Sequence, residues 1–398
     1  MLNKKNKNLK IFIILSIVGI LLRVLWLNGE SGDYKGFLAL WVDDIRRLGY
    51  FKSLKYTIGN YNVPYMIILT FISLLKCKPL IPIKIVSIIF DFICAYYSSK
   101  IVYLITKNNT LKLVIYGIIL CLPSVIVNGS MWGQCDSIYT AFILISLYYL
   151  LNKKYTISFI MLGISLSFKL QAIFVLPVYI LLFFREKKIH LYHFLLIPIM
   201  DIVLSLPAII MGKSIKDIML VYFNQADYYI DAVLNFPNLY NYIQENTLFF
   251  ITNHKIISTI GVILTAFIFF IMWLYVLINK VKFNNEKIIT LFLWSILVCV
   301  FFLPHMHDRY MFSADILSIV WFIIYQKKVF IPFIINISST LTYFYFLFLY
   351  NIVDYKILSI ILLFTIMSLT LYTMKLLKED NKQYNWIWLY CFFPETFV

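Results

Sequence analysis

The chain has 398 residues, of which 62% are hydrophobic and only 14% are Asp, Glu, Lys or Arg, and its mean hydropathy is +0.85. So few charged groups cannot cover a soluble surface, so a water-soluble globular fold is excluded and a polytopic membrane protein is expected. The net charge of +16 does not point to nucleic acid, because the lysines stand in small groups between apolar runs and not in one stripe with interleaved aromatics.

The chain opens with "MLNKKNKNLK" and then "IFIILSIVGILLRVLWL". No small-residue cleavage site follows and further apolar runs come after it, so this is read as a retained first helix and not as a cleaved signal. The apolar runs predict helices at 11–28, 83–105, 111–130, 137–151, 156–174, a short 175–184, 191–210, 255–279, 288–304, 311–325, 329–349 and 354–377. With the N-terminus inside, the inner segments carry Lys107 and Lys112, Lys153 and Lys154, Arg185 to Lys188, Lys280 to Lys287, Lys327 and Lys328, and Lys375 to Lys382. Basic inner loops of this kind fit the positive-inside rule, so both termini are expected in the cytoplasm. The expected fold is all-α: one membrane-embedded domain over 1–398 with about twelve transmembrane helices. It has a long first extracytoplasmic loop, 29–82, and a second large one, 211–254.

Within the first loop, Leu38, Trp41, Ile45 and Leu48 recur at helical spacing, with Asp43, Asp44, Arg46 and Arg47 between them. This predicts an amphipathic helix in the membrane interface. The run "VPYMIILTFISLL" is short for ~30 Å of hydrocarbon and is read as a second surface helix, with spanning as the alternative. On the first helix, Asp43 and Asp44 can pair with Arg46 and Arg47 one turn along. Asp33 can cap the helix that starts at Tyr34, or act as a general base aimed at the polar head of a lipid substrate, or both. Cysteines 77, 94, 121, 135, 299 and 391 form no CxxC pair and suggest neither zinc nor a disulfide framework. On this topology Cys135 is accessible from outside if the fold leaves it open, and Cys391 is not.

Three further groups fall at the outer face. "NGSMWGQCDS" places Trp132, Gln134 and Asp136 beside Gly129 and Gly133, where glycines let backbone approach a ligand and the polar groups can bind hydroxyls; the alternative is a polar turn. "SFKLQAIFVLP" holds Lys169 and Gln171 in an apolar run, where a lysine costs about 2.5–3.5 kcal/mol on insertion scales and so faces a cavity, an anion or a partner. "LPHMHDRYMFSADILS" brings His305, His307, Asp308, Arg309 and Tyr310 to one membrane edge. Arg offers a planar fork for phosphate and a neighbouring His can shuttle a proton. A His-x-His metal site needs further ligands, so no cofactor is expected, although a divalent ion is compatible.

Taken together, "WGQCD", "FKLQAIFVLP", "NFPNLYNYI" and "HMHDRYMFSADILS", with an acidic residue just after the first helix, resemble the bacterial C-type glycosyltransferases. More narrowly they are similar to the members related to the second mannosyltransferase of GPI-anchor assembly. The resemblance runs over nearly the whole chain, and "HMHDRY" beside "WGQCD" is its most specific part. It implies a bacterial plasma-membrane enzyme that moves a hexose, mannose among the candidates, from a polyprenyl-phosphate carrier to an extracytoplasmic lipid, glycan or protein acceptor with inversion. It assigns Asp33 as the base, Gln134 and Asp136 to a second-loop site, and His305, His307 and Arg309 to the donor phosphate. The family motif more often carries Glu where Asp308 stands. The other readings are a lipid-linked sugar flippase or other transporter, and a polysaccharide polymerase. The absence of an internal repeat and the gathering of polar groups at one face favour the enzyme.

Overall fold

The computed structural model describes residues 2–226, 230–244, 247–350 and 352–378. The polypeptide is helical almost throughout. Helix α1 (Leu2–Val24) is followed by an irregular turn and by α2 (Ala39–Arg47) and α3 (Val63–Ser73). Then come α4 (Leu80–Thr106), α5 (Asn109–Cys121), α6 (Pro123–Ile126, prolonged by a π-helical turn to Trp132), α7 (Asp136–Leu151) and α8 (Tyr155–Phe168). A 3₁₀ turn, Leu170–Val175, leads to α9 (Leu176–Arg185), α10 (Leu191–Leu204), α11 (Leu206–Ile210) and α12 (Ile215–Ala226). The last group is α13 (Thr247–Ile278), α14 (Asn285–Phe302), α15 (Phe312–Tyr325), α16 (Phe330–Phe348) and α17 (Tyr355–Lys378).

Local chemistry sets several of these boundaries. Asn108 Oδ1 accepts from the backbone N–H groups of Thr110 and Leu111 to start α5, and Asn284 Oδ1 accepts from Lys287 to start α14. Pro123 cannot donate an N–H, so the helix breaks at Leu122 and α6 leaves α5 at 54°. At the other end of α1, the buried Lys84 of α4 donates to the carbonyls of Trp26 and Leu27 at 2.9 and 3.0 Å, satisfying groups the helix leaves open.

Among the described residues, five helices are long and apolar enough to cross a membrane: Leu80–Thr106, Leu248–Ile278, Asn285–Phe302, Phe330–Phe348 and Tyr355–Lys378. The bent pair α5–α6 makes a sixth if counted as one span. Their outer faces are apolar, with Ile260, Ile263 and Phe267 on α13 and Phe364 and Leu371 on α17 more than half exposed, as lipid contact requires. Helices α7 and α8 are shorter, pack on each other and on α4 and α10, and form the interior of the bundle.

In the first loop, Leu38, Trp41, Val42 and Ile45 are buried while Asp43 and Arg47 face out, so the expected amphipathic stripe is present. Leu48 lies just past the end of α2 and is only half-buried. Helix α3 is no exposed surface helix: most of its side chains are buried, and it packs against α2 and α8. At eleven residues it rises only about 16 Å, too little to span. Arg46 ties the two helices by donating to the carbonyls of Ser73, Leu75 and Cys77 at 3.1–3.2 Å.

The segment 230–244 meets the segment after α14 in a two-residue parallel ladder, Val233 with Met306 and Leu234 with His307. The "NFPNLYNYI" motif builds this corner. Asn238 caps a turn through Tyr240 N, Tyr240 Oη donates to the carbonyl of Phe302 at 2.7 Å, and Ser359 of α17 donates to the carbonyl of Asn238.

Candidate active site

Five chain segments end at one edge of the bundle: the C-terminal ends of α1, α6 and α8 and the N-terminal ends of α7 and α15. The basic loops Lys107–Lys112, Lys153–Lys154 and Lys327–Lys328 join helices at the opposite edge. Most of the polar groups singled out in the sequence meet at the first edge: Asp33, Trp132, Gln134, Asp136, Lys169, Asp308 and Arg309.

Asp33 lies in the turn after α1, and its carboxylate faces inward. Oδ2 accepts from Trp132 Nε1 at 2.9 Å and from Gln134 Nε2 at 2.6 Å, and Arg309 Nη1 stands 3.2 Å away. It is not a helix cap. Ser31 does that work, accepting from Tyr34 N at 3.1 Å while its hydroxyl donates to the carbonyl of Trp132 and so ties the turns after α1 and α6 together.

Asp136, at the first residue of α7, is fully buried. Oδ1 is bonded to Lys169 Nζ, and Oδ2 accepts from Asn128 Nδ2 at 2.9 Å and lies 3.6 Å from Arg309 Nε. Lys169 reaches Asp136 because α8 stops at Phe168 and residue 169 is extended, where the sequence suggested an unbroken helix to 174. Its ammonium sits among the rings of Tyr61, Tyr139 and Tyr310 at 5.4–6.0 Å, which offsets part of its desolvation. Gln171 follows on the 3₁₀ turn, buried, with Oε1 lacking a hydrogen-bond partner.

Arg309 is the hub. Its guanidinium lies over the indole of Trp132 at 5.2 Å, and Trp132 in turn stacks on Phe346 at 4.6 Å. Asp33, Asp136 and Asp308 surround it within 3.2–3.6 Å, yet Arg309 Nε is buried with no hydrogen-bond acceptor. Asp308 is buried beside it; burial, reinforced by Asp33 and Asp136, outweighs Arg309 and pushes its carboxyl up to about 7. His307 meets the ring of Tyr310 at 4.9 Å in a tilted contact, and burial, then Arg309 and Lys169, push its imidazole well below the usual value, so at neutral pH it is uncharged.

Other expectations fall elsewhere. His305 turns away: its backbone has φ +61°, Nδ1 meets the carbonyl of Asp231 at 2.8 Å and Nε2 meets Ser258 Oγ on α13 at 3.0 Å. Both ring nitrogens are engaged there, so His305 pins this loop to α13 and stands apart from the carboxylates. Asp43 and Asp44 pair with Arg46 and Arg47 at 3.3 and 2.7 Å on the surface of α2. Gly129 makes no room for a ligand: a Cβ there would meet Asp91 Oδ2 of α4 at 2.6 Å, so the glycine admits a neighbouring helix. Gly133 is needed for its φ of +75°, which ends the π-helical turn and aims Gln134 at Asp33. Cys135 is buried, with burial pushing its thiol up to about 11, and Cys391 lies outside the described residues. No group of three or more His, Cys, Asp or Glu among the described residues is arranged to hold a metal ion.

Asn128, Tyr61 and the buried pair Arg23–Asp91, which joins α1 to α4 at 2.9 Å, also belong to this neighbourhood and carry no motif of their own. Asn128 lies within "NGSMWGQCDS", and a polar amide eight residues before an acid in an apolar context is a usable signal. Compared with known proteins, the chain matches no protein-family model and no curated protein. The fold and the site therefore define its class as an all-α membrane protein with a buried cluster of carboxylates and cations at one edge of its bundle.

Proposed function

We propose that the chain is a membrane glycosyltransferase, of the C-type its motifs resemble, that moves a hexose from a polyprenyl-phosphate carrier to an extracytoplasmic acceptor. In this reading it passes the membrane twelve times, with the short helices α7 and α15 buried among the others, and the Asp33 edge faces outward. The observation that carries the proposal is the arrangement around Arg309: a carboxylate held by two neutral donors on one side, and on the same guanidinium a buried N–H with no acceptor.

In the reaction, the acceptor hydroxyl oxygen attacks the anomeric carbon as the bond from that carbon to the phosphate oxygen breaks. The bonding pair leaves with the polyprenyl phosphate, and Asp33 takes the hydroxyl proton. One displacement inverts the anomeric centre. Trp132 and Gln134 fix the carboxylate's orientation, a positioning role. Arg309 offers Nε to the departing phosphate, and Lys169 adds charge from the far side of Asp136. Neutral His307 can share a hydrogen bond with the phosphate but contributes no charge. With Asp308 near half-protonation at neutral pH, two cations face Asp33, Asp136 and a partly neutral third carboxyl, so the site can admit an anion without a large excess of negative charge.

The test is purified protein in proteoliposomes with a panel of labelled polyprenyl-phosphate sugars. Sugar transfer with inversion supports the reading. Movement of the intact donor across the bilayer without transfer identifies a flippase and overturns it.

A further inference from the structure

A cavity of about 360 Å³ lies in the first outer loop, at the lower end of the size range of small-molecule sites. It is enclosed by α2, the turn Tyr50–Lys55, the segment leading into α3, and the start of α12 with its preceding turn. Trp41 and Tyr61 meet edge to face at 5.5 Å in its wall. Ser53 also lines it; this residue is 1% exposed, and its hydroxyl has no hydrogen-bond partner. A buried hydroxyl left unbonded costs free energy unless something in the cavity completes it.

The chemistry of the lining selects among ligands. Lys213 is its cation, but the ammonium already donates to the carbonyl of Tyr56 at 3.1 Å and to Thr57 Oγ1 at 3.4 Å, and Asp217 stands at the same wall. A phosphate therefore finds no unengaged positive charge. An acyl chain would leave Ser53, Thr57 and Asp217 facing hydrocarbon. A neutral ligand rich in hydroxyls, with apolar C–H faces for Trp41 and Tyr61, satisfies both kinds of surface.

The cavity is also joined to the carboxylates. Tyr61 Oη donates to Gln134 Oε1 at 3.4 Å, and Gln134 Nε2 donates to Asp33 at 2.6 Å, while Lys169 sits 6.0 Å over the Tyr61 ring. Tyr61 is thus the partition between the cavity and the charged centre. We infer that this cavity binds a saccharide, and that the saccharide is the acceptor whose hydroxyl reaches Asp33 past Tyr61. The acceptor role rests on the transferase reading; saccharide binding does not.

The experiment is saturation-transfer NMR on the detergent-purified full chain with methyl α-mannoside, methyl β-glucoside, N-acetylglucosamine and inositol as probes and inorganic phosphate in competition. At least one saccharide should receive saturation, unaffected by phosphate. Ser53→Ala should weaken it about two- to tenfold, the loss of one hydrogen bond, and Ser53→Met, which fills the cavity, should abolish it. No saccharide signal from folded wild-type protein, a signal indifferent to both Ser53 variants, or displacement by phosphate would each overturn the inference. If sugar transfer proceeds with an acceptor KM untouched by Ser53→Ala, the cavity is not the acceptor site and the transferase reading survives. If saccharide binds but no polyprenyl-phosphate sugar is ever used, the binding site survives and its acceptor role falls.

Discussion

Arg309 Nη1 and Asp33 Oδ2 stand 3.2 Å apart, one from the segment before α15 and the other from the turn after α1, although 276 positions separate them in the chain. The pair is only partly buried, with side-chain exposures of 13% and 16%, so each partner can still meet a ligand from the membrane edge. A cation held by a carboxylate is pre-oriented for a second anion, and a carboxylate held by three donors is fixed for proton transfer.

Asp33→Asn should abolish transfer, by at least the ~100- to 10,000-fold that general bases contribute, while leaving the thermal midpoint in detergent little changed, because the amide oxygen still accepts from Trp132 and Gln134. Asp43→Asn and Asp44→Asn should stay within about 0.5 kcal/mol in stability and near wild type in transfer, since each loses only an exposed pair. An inactive Asp44→Asn with an active Asp33→Asn would move the base to α2.

Arg309→Ala should cut transfer about ten- to a hundredfold or more, on the scale of hydrogen bonds to charged groups. It should also lower stability, because Asp33, Asp136 and Asp308 lose their shared cation. Arg309→Lys keeps the charge and loses the fork and the stacking on Trp132, so it should fall between. Separate measurement of turnover and donor binding decides the role: a clamp that tightens as phosphate departs lowers turnover more than binding.

Lys169→Met leaves Asp136 buried without its ammonium and should cost about 3–5 kcal/mol. Lys169→Met with Asp136→Leu removes both charges and should recover much of that loss without recovering activity. A double-mutant cycle on thermal midpoints reads the coupling, and simple additivity would show that the pair is not held in the folded protein as described.

Asp308 supplies a pH signature. Its folded carboxyl titrates near 7, above the ordinary carboxylate value, so folding favours the protonated form. The associated stability is complete below the unfolded pKa of ~4 and is lost as pH rises toward the folded value near 7. The thermal midpoint should therefore fall between pH ~4 and ~7 and level off above that, and Asp308→Asn should flatten that slope. An unchanged slope in the variant would place the titration elsewhere.

Much of this architecture is legible in the sequence, because a membrane helix is written as a continuous apolar run. Expected starts such as 83, 137, 156 and 329 lie within a few residues of α4, α7, α8 and α16. The site residues are legible for a related reason: Asp33, Trp132, Gln134, Asp136, Lys169 and Arg309 are polar where hydrocarbon or its edge makes polarity costly. Their partners are harder to read. Nothing local says that Lys84 closes the end of α1, that Asp91 needs Gly129 to pack, or that His305 spends both nitrogens on Asp231 and Ser258. These are contacts across long stretches of chain. The break at Lys169 was hidden because apolar residues continue on both sides of it, and hydropathy does not report backbone dihedrals.

Sidedness is the remaining premise of the proposed function, and the structure changes which residue reports it. Cys135 sits in the turn between α6 and α7, but it is buried and its thiol is pushed up to about 11, so it should resist labelling from either side. Cys77 is exposed in the loop between α3 and α4, on the same stretch of chain as Asp33 and ahead of any further long apolar helix. It should react with a membrane-impermeant maleimide in intact cells, and Cys77→Ser should remove that signal. As the opposite marker, Lys153→Cys, in the turn between α7 and α8, should label only after the membrane is permeabilised. If Cys77 instead labels only after permeabilisation, Asp33 and Arg309 face the cytoplasm. A donor carried on polyprenyl phosphate at the outer leaflet could not reach them, and the glycosyltransferase reading would fall with it.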